Sequence, residues 1–141
     1  MTATLVDTNV LLDLVTDDPA WSAWSVAQLD AAAVNGPLVI DGVVYAELSV
    51  RFATIEGLDA VVAEAGIVLA EIPREALFLA GKAFQRYRAA GGARTSVLPD
   101  FFVGAHAAVA GFRLLTRDAR RFRTYFPTVD LVAPDPARTS G

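Results

Sequence analysis

The sequence predicts an α/β domain built on a largely parallel sheet with helices on both faces. Three observations carry this. Short β-branched runs alternate with helical patterns along the chain, no linker or internal repeat interrupts them, and 54% of the 141 residues are hydrophobic against 20% charged, enough for one compact core. ATLVD is the first strand, and it gives way at Thr8 and Asn9 to a helical pattern from Val10 to Val15. A second helix, about Trp21 to Val34, follows Pro19 and is broken by Asn35, Gly36 and Pro37. PLVI is the next strand, and Asp41 and Gly42 cap a helix running to about Phe52. A helix from about Leu58 to Ala65 is released by Gly66 into a third strand, IVLAEI. After Pro73 a long amphipathic helix carries Leu77, Ala80, Phe84 and Tyr87 on one stripe, and Gly91 and Gly92 end it. Pro99 opens the helix DFFVGAHAAVAG, FRLLT is a fourth strand, Ala119 to Tyr125 is a short helix, and TVDLV is the last strand. The expected domain is 1–133, with 134–141 as a disordered tail.

Several classes are excluded early. The chain has no cysteine, which removes disulfides, thiolate nucleophiles and cysteine-type zinc sites and fits a reducing compartment. MTATLVDTNVLLDL has no basic start and carries Asp7 inside its apolar stretch, unlike a signal peptide. The longest apolar run, Phe101 to Leu115, is broken by His106 and Arg113 and falls short of the roughly 20 residues that span a bilayer. A soluble cytoplasmic protein is expected.

The net charge of −4 conceals a division. Residues 1–71 hold eleven acids against one base, Arg51, a formal −10, whereas residues 72–141 hold five acids against eleven bases, a formal +6. Such asymmetry points to a polyanion-binding face, and five arginines (113, 117, 120, 121 and 123) fall within eleven residues.

Four isolated carboxylates stand out: Asp7, Glu47, Asp100 and Asp118. In open parallel sheets ligands bind outside the carboxyl ends of the strands. Asp7 ends the first strand, Asp118 lies just past the fourth, and Asp100 heads the helix that feeds the fourth, so all three share one edge. Each acid also has a local explanation. Asp7 and Asp118 suit helix caps, Asp100 answers a helix dipole, and Glu47 sits four residues before Arg51, each worth up to about 1 kcal/mol. Glu47 has apolar helical neighbours in Val43, Val44 and Val50, which suggests a packed setting where an unpaired carboxylate wants a cation. His106, the one histidine, lies about 240° round its helix from Asp100 and reads as a packed residue rather than a catalyst.

Taken together, LVDTNVLLDL, YAELSVR, LPDFFVGAHA and LLTRDARRF resemble the PIN domain, and specifically the toxins of VapBC-type toxin–antitoxin pairs. The resemblance runs from Leu5 to about Val132. It implies a three-layer α/β/α fold with about five parallel strands ordered 3-2-1-4-5, and an endoribonuclease dependent on Mg²⁺ or Mn²⁺. By motif match the acidic site is Asp7, Glu47, Asp100 and Asp118, with Asp7 and Asp100 as direct metal ligands and Asn9 and Thr116 as supporting polar residues. The implied partners are a second copy of the chain and a VapB-like antitoxin whose segment blocks the acidic pocket.

The chemistry agrees with the resemblance. Two carboxylates about 4 Å apart repel by about 4 kcal/mol at an effective dielectric of about 20, so a cluster of four invites a hard cation that takes oxygen ligands. Such an ion activates water for attack on phosphorus, and no histidine is then needed as base. RNA phosphates are expected to meet Arg117, Arg120 and Arg121, with Lys82 and Arg86 as a second strip. The mean hydropathy of +0.42 suggests apolar surface covered by a partner, with Trp21, Trp24, Phe52, Val43 and Val50 near it. Two alternatives stay open: a non-catalytic PIN-like RNA-binding or assembly module, which gains nothing from four acids, and a metal-dependent nuclease acting on DNA. Phosphatase and response-regulator readings fit poorly, because Asp7 is followed by Thr8 and Asn9 and the one lysine is Lys82.

Overall fold

β1 (Thr4–Val6) is wholly buried, and Asp7 turns it directly into α1 (Thr8–Val15) by accepting the Thr8 N–H. α2 (Ser22–Asn35) returns the chain to β2 (Leu38–Asp41), whose last residue caps α3 (Gly42–Ser49) through the N–H groups of Val43 and Val44. α4 (Ile55–Glu64) is capped by Thr54 and leads into β3 (Ile67–Ala70). α5 (Arg74–Ala89), a 3₁₀ turn at Thr95–Val97 and α6 (Leu98–Ala110) follow, then β4 (Arg113–Leu115), α7 (Arg120–Tyr125) and β5 (Leu131–Val132). This is a computed structural model, and it describes residues 2–135.

All four strand pairings are parallel and the order is β3-β2-β1-β4-β5, the sheet that the resemblance implies. β1 therefore lies at the centre, and the reversal of strand order falls beside it, where a crevice opens outside the strand ends. The register sets Leu5 opposite Val39 and opposite Leu114, so the residues just after β1, β2 and β4 reach one level of that edge.

α6 is the central helix, with Phe101, Val103, Ala105, His106 and Ala107 all buried. Gly104 belongs there because a Cβ on it would lie 2.4 Å from the Phe126 ring. α6 packs chiefly on α5. The buried stripe of α5 is Ala76, Ala80 and Ala83, flanked by half-buried Phe84 and Tyr87, while Leu77 stays exposed. The stripe expected from Leu77 is thus rotated towards the alanines, because small side chains let two helices approach closely. The other departures are small: α3 ends at Ser49, α4 begins earlier at Ile55, and β5 has two residues. Pro134 is buried rather than the start of a tail, and 136–141 lie outside the described residues. No helix among the described residues is long and apolar enough to cross a membrane.

Candidate active site

Asp7 is the centre of the crevice. Its Oδ1 accepts the Thr8 N–H at 2.8 Å, and its Oδ2 accepts the Thr116 hydroxyl at 2.8 Å and the Asn9 amide at 3.4 Å. Asn9 also accepts the Arg117 N–H at 3.2 Å, which ties the start of α1 to the end of β4. Asp7 is buried, every donor to it is neutral, and burial pushes its carboxyl up to about 7. The Thr116 and Thr8 hydrogen bonds pull the other way, and the charges of Asp100 and Glu47 add to the rise. Asp100, in the first turn of α6, is also raised, first by burial, with Arg121 and Arg94 opposing and Asp118 reinforcing.

The four acids therefore face one another electrostatically, but they occupy different settings. Glu47 is exposed, not packed as its valine neighbours suggest, because α3 turns Val44 and Leu48 inward and leaves position 47 at the rim. There Glu47 Oε1 accepts the Thr8 hydroxyl at 2.7 Å, and no ion pair joins it to Arg51 among the described residues. Asp118 is exposed too, and its N–H donates to Thr116 Oγ1 at 3.1 Å. Asp100 Oδ2 is held by the Arg121 guanidinium.

The basic residues divide. Arg120 and Arg121 line a cleft beside Asp118. Arg117 turns away, with its Nε 2.9 Å from Asp13 Oδ2 and its guanidinium 5.0 Å above the Trp21 ring. Its Nε–H makes no aligned hydrogen bond, so the contact is an ion pair. Asp13 in turn accepts the Ser25 hydroxyl at 2.7 Å. Lys82 is exposed over the Phe78 ring, Arg86 is exposed, and neither lines that cleft. His106 is buried with its Nδ1 3.0 Å from Asp41 Oδ2, away from the acids and against Phe112. Thr8, which links Asp7 to Glu47, was legible only as the middle letter of the Asp-Thr-Asn motif. Nothing in the sequence points to Asp13 as the partner of Arg117.

A family model, the PIN domain, matches residues 4–127. The chain belongs to the PIN-domain family. Its fold is similar to that of a chain in VapBC2 from Rickettsia felis, solved on a promoter DNA fragment, at 17% identity and a TM-score of 0.72, covering 94% of this chain and 99% of that one. A toxin–antitoxin complex from Klebsiella pneumoniae aligns at 21% identity and 0.67, over 94% and 98% of the two chains. VapBC-1 from nontypeable Haemophilus influenzae aligns at 17% and 0.68, over 93% and 97%. No curated protein matches the sequence.

PIN-domain membership raises the question of whether these residues fit a divalent cation. Among the described residues no three histidine, aspartate or glutamate side chains are gathered closely enough to hold an ion between them, so the expected four-acid cage is not preassembled. Mg²⁺ does not require one, since it keeps several waters and binds through one or two carboxylates plus substrate phosphate. Buried Asp7, met only by neutral donors and pressed by two further acids, fits that mode.

Proposed function

We propose that this PIN-domain chain is a Mg²⁺- or Mn²⁺-dependent endoribonuclease, the toxin of a type II toxin–antitoxin pair. The observation that carries the reading is Asp7: a buried carboxylate at the central strand end whose charge no cation among the described residues balances, with Asp100 and Glu47 facing it. A bound divalent cation would supply the missing positive charge, lower the pKa of water and stabilise charge on the phosphoryl oxygens. Asp7 and Asp100 would hold it, with Glu47 and Asp118 at the rim to orient the water and the leaving oxygen.

Thr116 and Asn9 fix the Asp7 carboxylate, so its lone pairs stay aimed at the crevice without reorganisation during the reaction. Arg120 and Arg121 offer donors to the phosphate chain. The 2′-hydroxyl is then a spectator, and products should carry 5′-phosphate and 3′-hydroxyl ends. An antitoxin partner is supported by the apolar groove between α1, α3 and α4, where Leu14 and Val61 are exposed beside half-buried Phe52, and by the fold shared with chains of toxin–antitoxin complexes. Among the other residues expected near a partner surface, Val50 is exposed, while Trp24 and Val43 pack partly against the core.

The test is cleavage of total RNA by the chain and by Asp100→Asn, each with Mg²⁺ and with chelator, followed by mapping of the cut ends. Cutting only by the unsubstituted chain with metal is expected. Equal cutting in all arms, or 2′,3′-cyclic phosphate ends, would overturn the reading.

A further inference from the structure

The cleft bounded by α5, α7 and the loop between α5 and α6 has features that the acidic site does not use. It encloses about 410 Å³ and is lined by Tyr87, Arg94, Arg120, Thr124 and Tyr125, with Asp118 and Arg121 on the side of the carboxylates. That volume falls in the range of about 300–1,000 Å³ typical of small-ligand sites. Its aromatic wall is fixed in place. Phe84 stacks on Tyr87 at 5.8 Å, Tyr125 meets Tyr87 edge-on at 6.1 Å, and Tyr125 also leans on buried Phe101. Gly92 lies so close over the Tyr87 ring that a Cβ would come within 2.4 Å of it, and the Tyr87 hydroxyl accepts the Arg94 N–H at 3.3 Å.

The charges complement that wall. Arg94 and Arg120 are exposed and form no ion pair among the described residues, whereas Arg121 lies over the Tyr87 ring at 5.9 Å and is paired with Asp100, whose charge Arg94 also faces. The cleft is thus continuous with the acidic site through Arg121 and Asp118. Two exposed guanidiniums without an ion pair, beside a fixed aromatic wall, match one chemical object: an anionic group attached to a flat heterocycle.

We infer that this cleft is a nucleotide subsite that takes the base and phosphate of a single-stranded RNA residue flanking the bond to be cut. The inference rests on the ribonuclease reading and adds where the strand lies. The base is received against Tyr125, with Tyr87, whose faces are covered by Phe84, Gly92 and Arg121, as the fixed wall behind it, and the phosphate by Arg94 and Arg120, with the Thr124 hydroxyl at the rim. A duplex does not fit, because its bases are stacked on one another and its phosphates present no free heterocycle to a ring pocket.

The test measures binding in chelator, where cleavage does not enter, by anisotropy of short fluorescein-labelled oligoadenylate and oligouridylate. The double variant Arg94→Ala/Arg120→Ala should lose about tenfold in affinity, and the slope of log K against log salt should fall by about 1.4, the value for two lost phosphate contacts on a single strand. A control pair of equal charge, Arg88→Ala/Arg123→Ala, lies outside the cleft and should stay within about twofold. The unsubstituted chain should bind an abasic oligomer about tenfold more weakly than the base-bearing ones, a comparison that involves no change to the fold. Equal losses in the two arginine pairs, or an abasic oligomer bound as tightly as oligoadenylate, would overturn the subsite. RNA cutting with Mg²⁺ alongside such a result leaves the nuclease reading standing. Binding through the cleft without any cutting would instead remove the nuclease reading and keep the cleft as an RNA site.

Discussion

Asp7 and Asp41 stand at equivalent places in the fold. Each follows or ends one of two neighbouring parallel strands at the same level of the sheet, each caps the helix that begins next, and each is buried. Their partners differ. Asp41 spends one oxygen on the N–H groups of Val43 and Val44 and meets the His106 ring with the other. Asp7 meets only an N–H, a hydroxyl and an amide, with Asp100 and Glu47 adding negative charge around it. Burial without a cation or a histidine partner raises a carboxyl, and here it does. The same capped strand end is therefore a structural joint in one strand and a reactive position in the next, and the difference lies in what the rest of the chain brings to it.

Cleavage should separate the two acids most sharply. Asp7→Asn is expected to lower RNA cleavage by about 10³-fold or more, whereas Asp41→Asn, assayed as folded protein, should stay within about tenfold of the unsubstituted chain. An Asp41→Asn protein as inactive as Asp7→Asn would erase the distinction. In stability the order reverses. Asp41→Ala removes a buried cap and strands His106, and urea unfolding should show a loss of about 3–5 kcal/mol.

Asp7→Asn should instead stabilise the metal-free chain. The native carboxyl holds its proton up to about pH 7, while the unfolded one, with the usual value of 3.8, has released it. The native state thus binds more protons across that window, so the contribution of Asp7 is most favourable below about pH 4 and is lost as pH rises towards 7. In chelator at pH 8 the asparagine variant should gain roughly 2–4 kcal/mol, shrinking to nothing near pH 4, and Mg²⁺ should raise the melting temperature of the unsubstituted chain alone. A variant less stable than the parent at both pH values would contradict the uncompensated charge.

Arg117→Ala tests a third buried acid. Asp13 would lose its cation while keeping the Ser25 hydroxyl, and because the arginine is partly exposed the expected loss is about 1–3 kcal/mol, read from the same unfolding curves. The smallest effect belongs to Glu47→Gln. The residue is exposed and the glutamine still accepts the Thr8 hydroxyl, so the unfolding free energy should change by less than about 0.5 kcal/mol. A larger change would mean that Glu47 is part of the buried network and not its rim.

Much of the fold is legible in local sequence. Asp41 followed by Gly42 marks a capped helix, Pro99 opens α6, and Gly111 ends it in the left-handed region at φ 71°. The short 3₁₀ turn before α6 was not legible, and neither was the burial of Ala76 and Ala83 beside Ala80 on α5, because alanine tolerates either face of a helix and only the approach of α6 selects one. Within the site, Asp7, Asn9 and Thr116 could be named from their motifs and are joined by hydrogen bonds. The exposure of Glu47 and the turning of Arg117 towards Asp13 could not be named, since both depend on the rotation of one element against another.

By itself the sequence determined what short-range physics controls: which segments are strands and helices, which residues cap them, and that Asp7 and Asp118 follow strand ends. Only the tertiary structure decided which buried acid would meet neutral donors alone among the described residues. Thr116 reaches Asp7 across a separation of 109 residues and His106 reaches Asp41 across 65, contacts that no local pattern encodes. Whether a buried carboxylate meets a histidine from a distant helix or only neutral donors depends on those distant contacts.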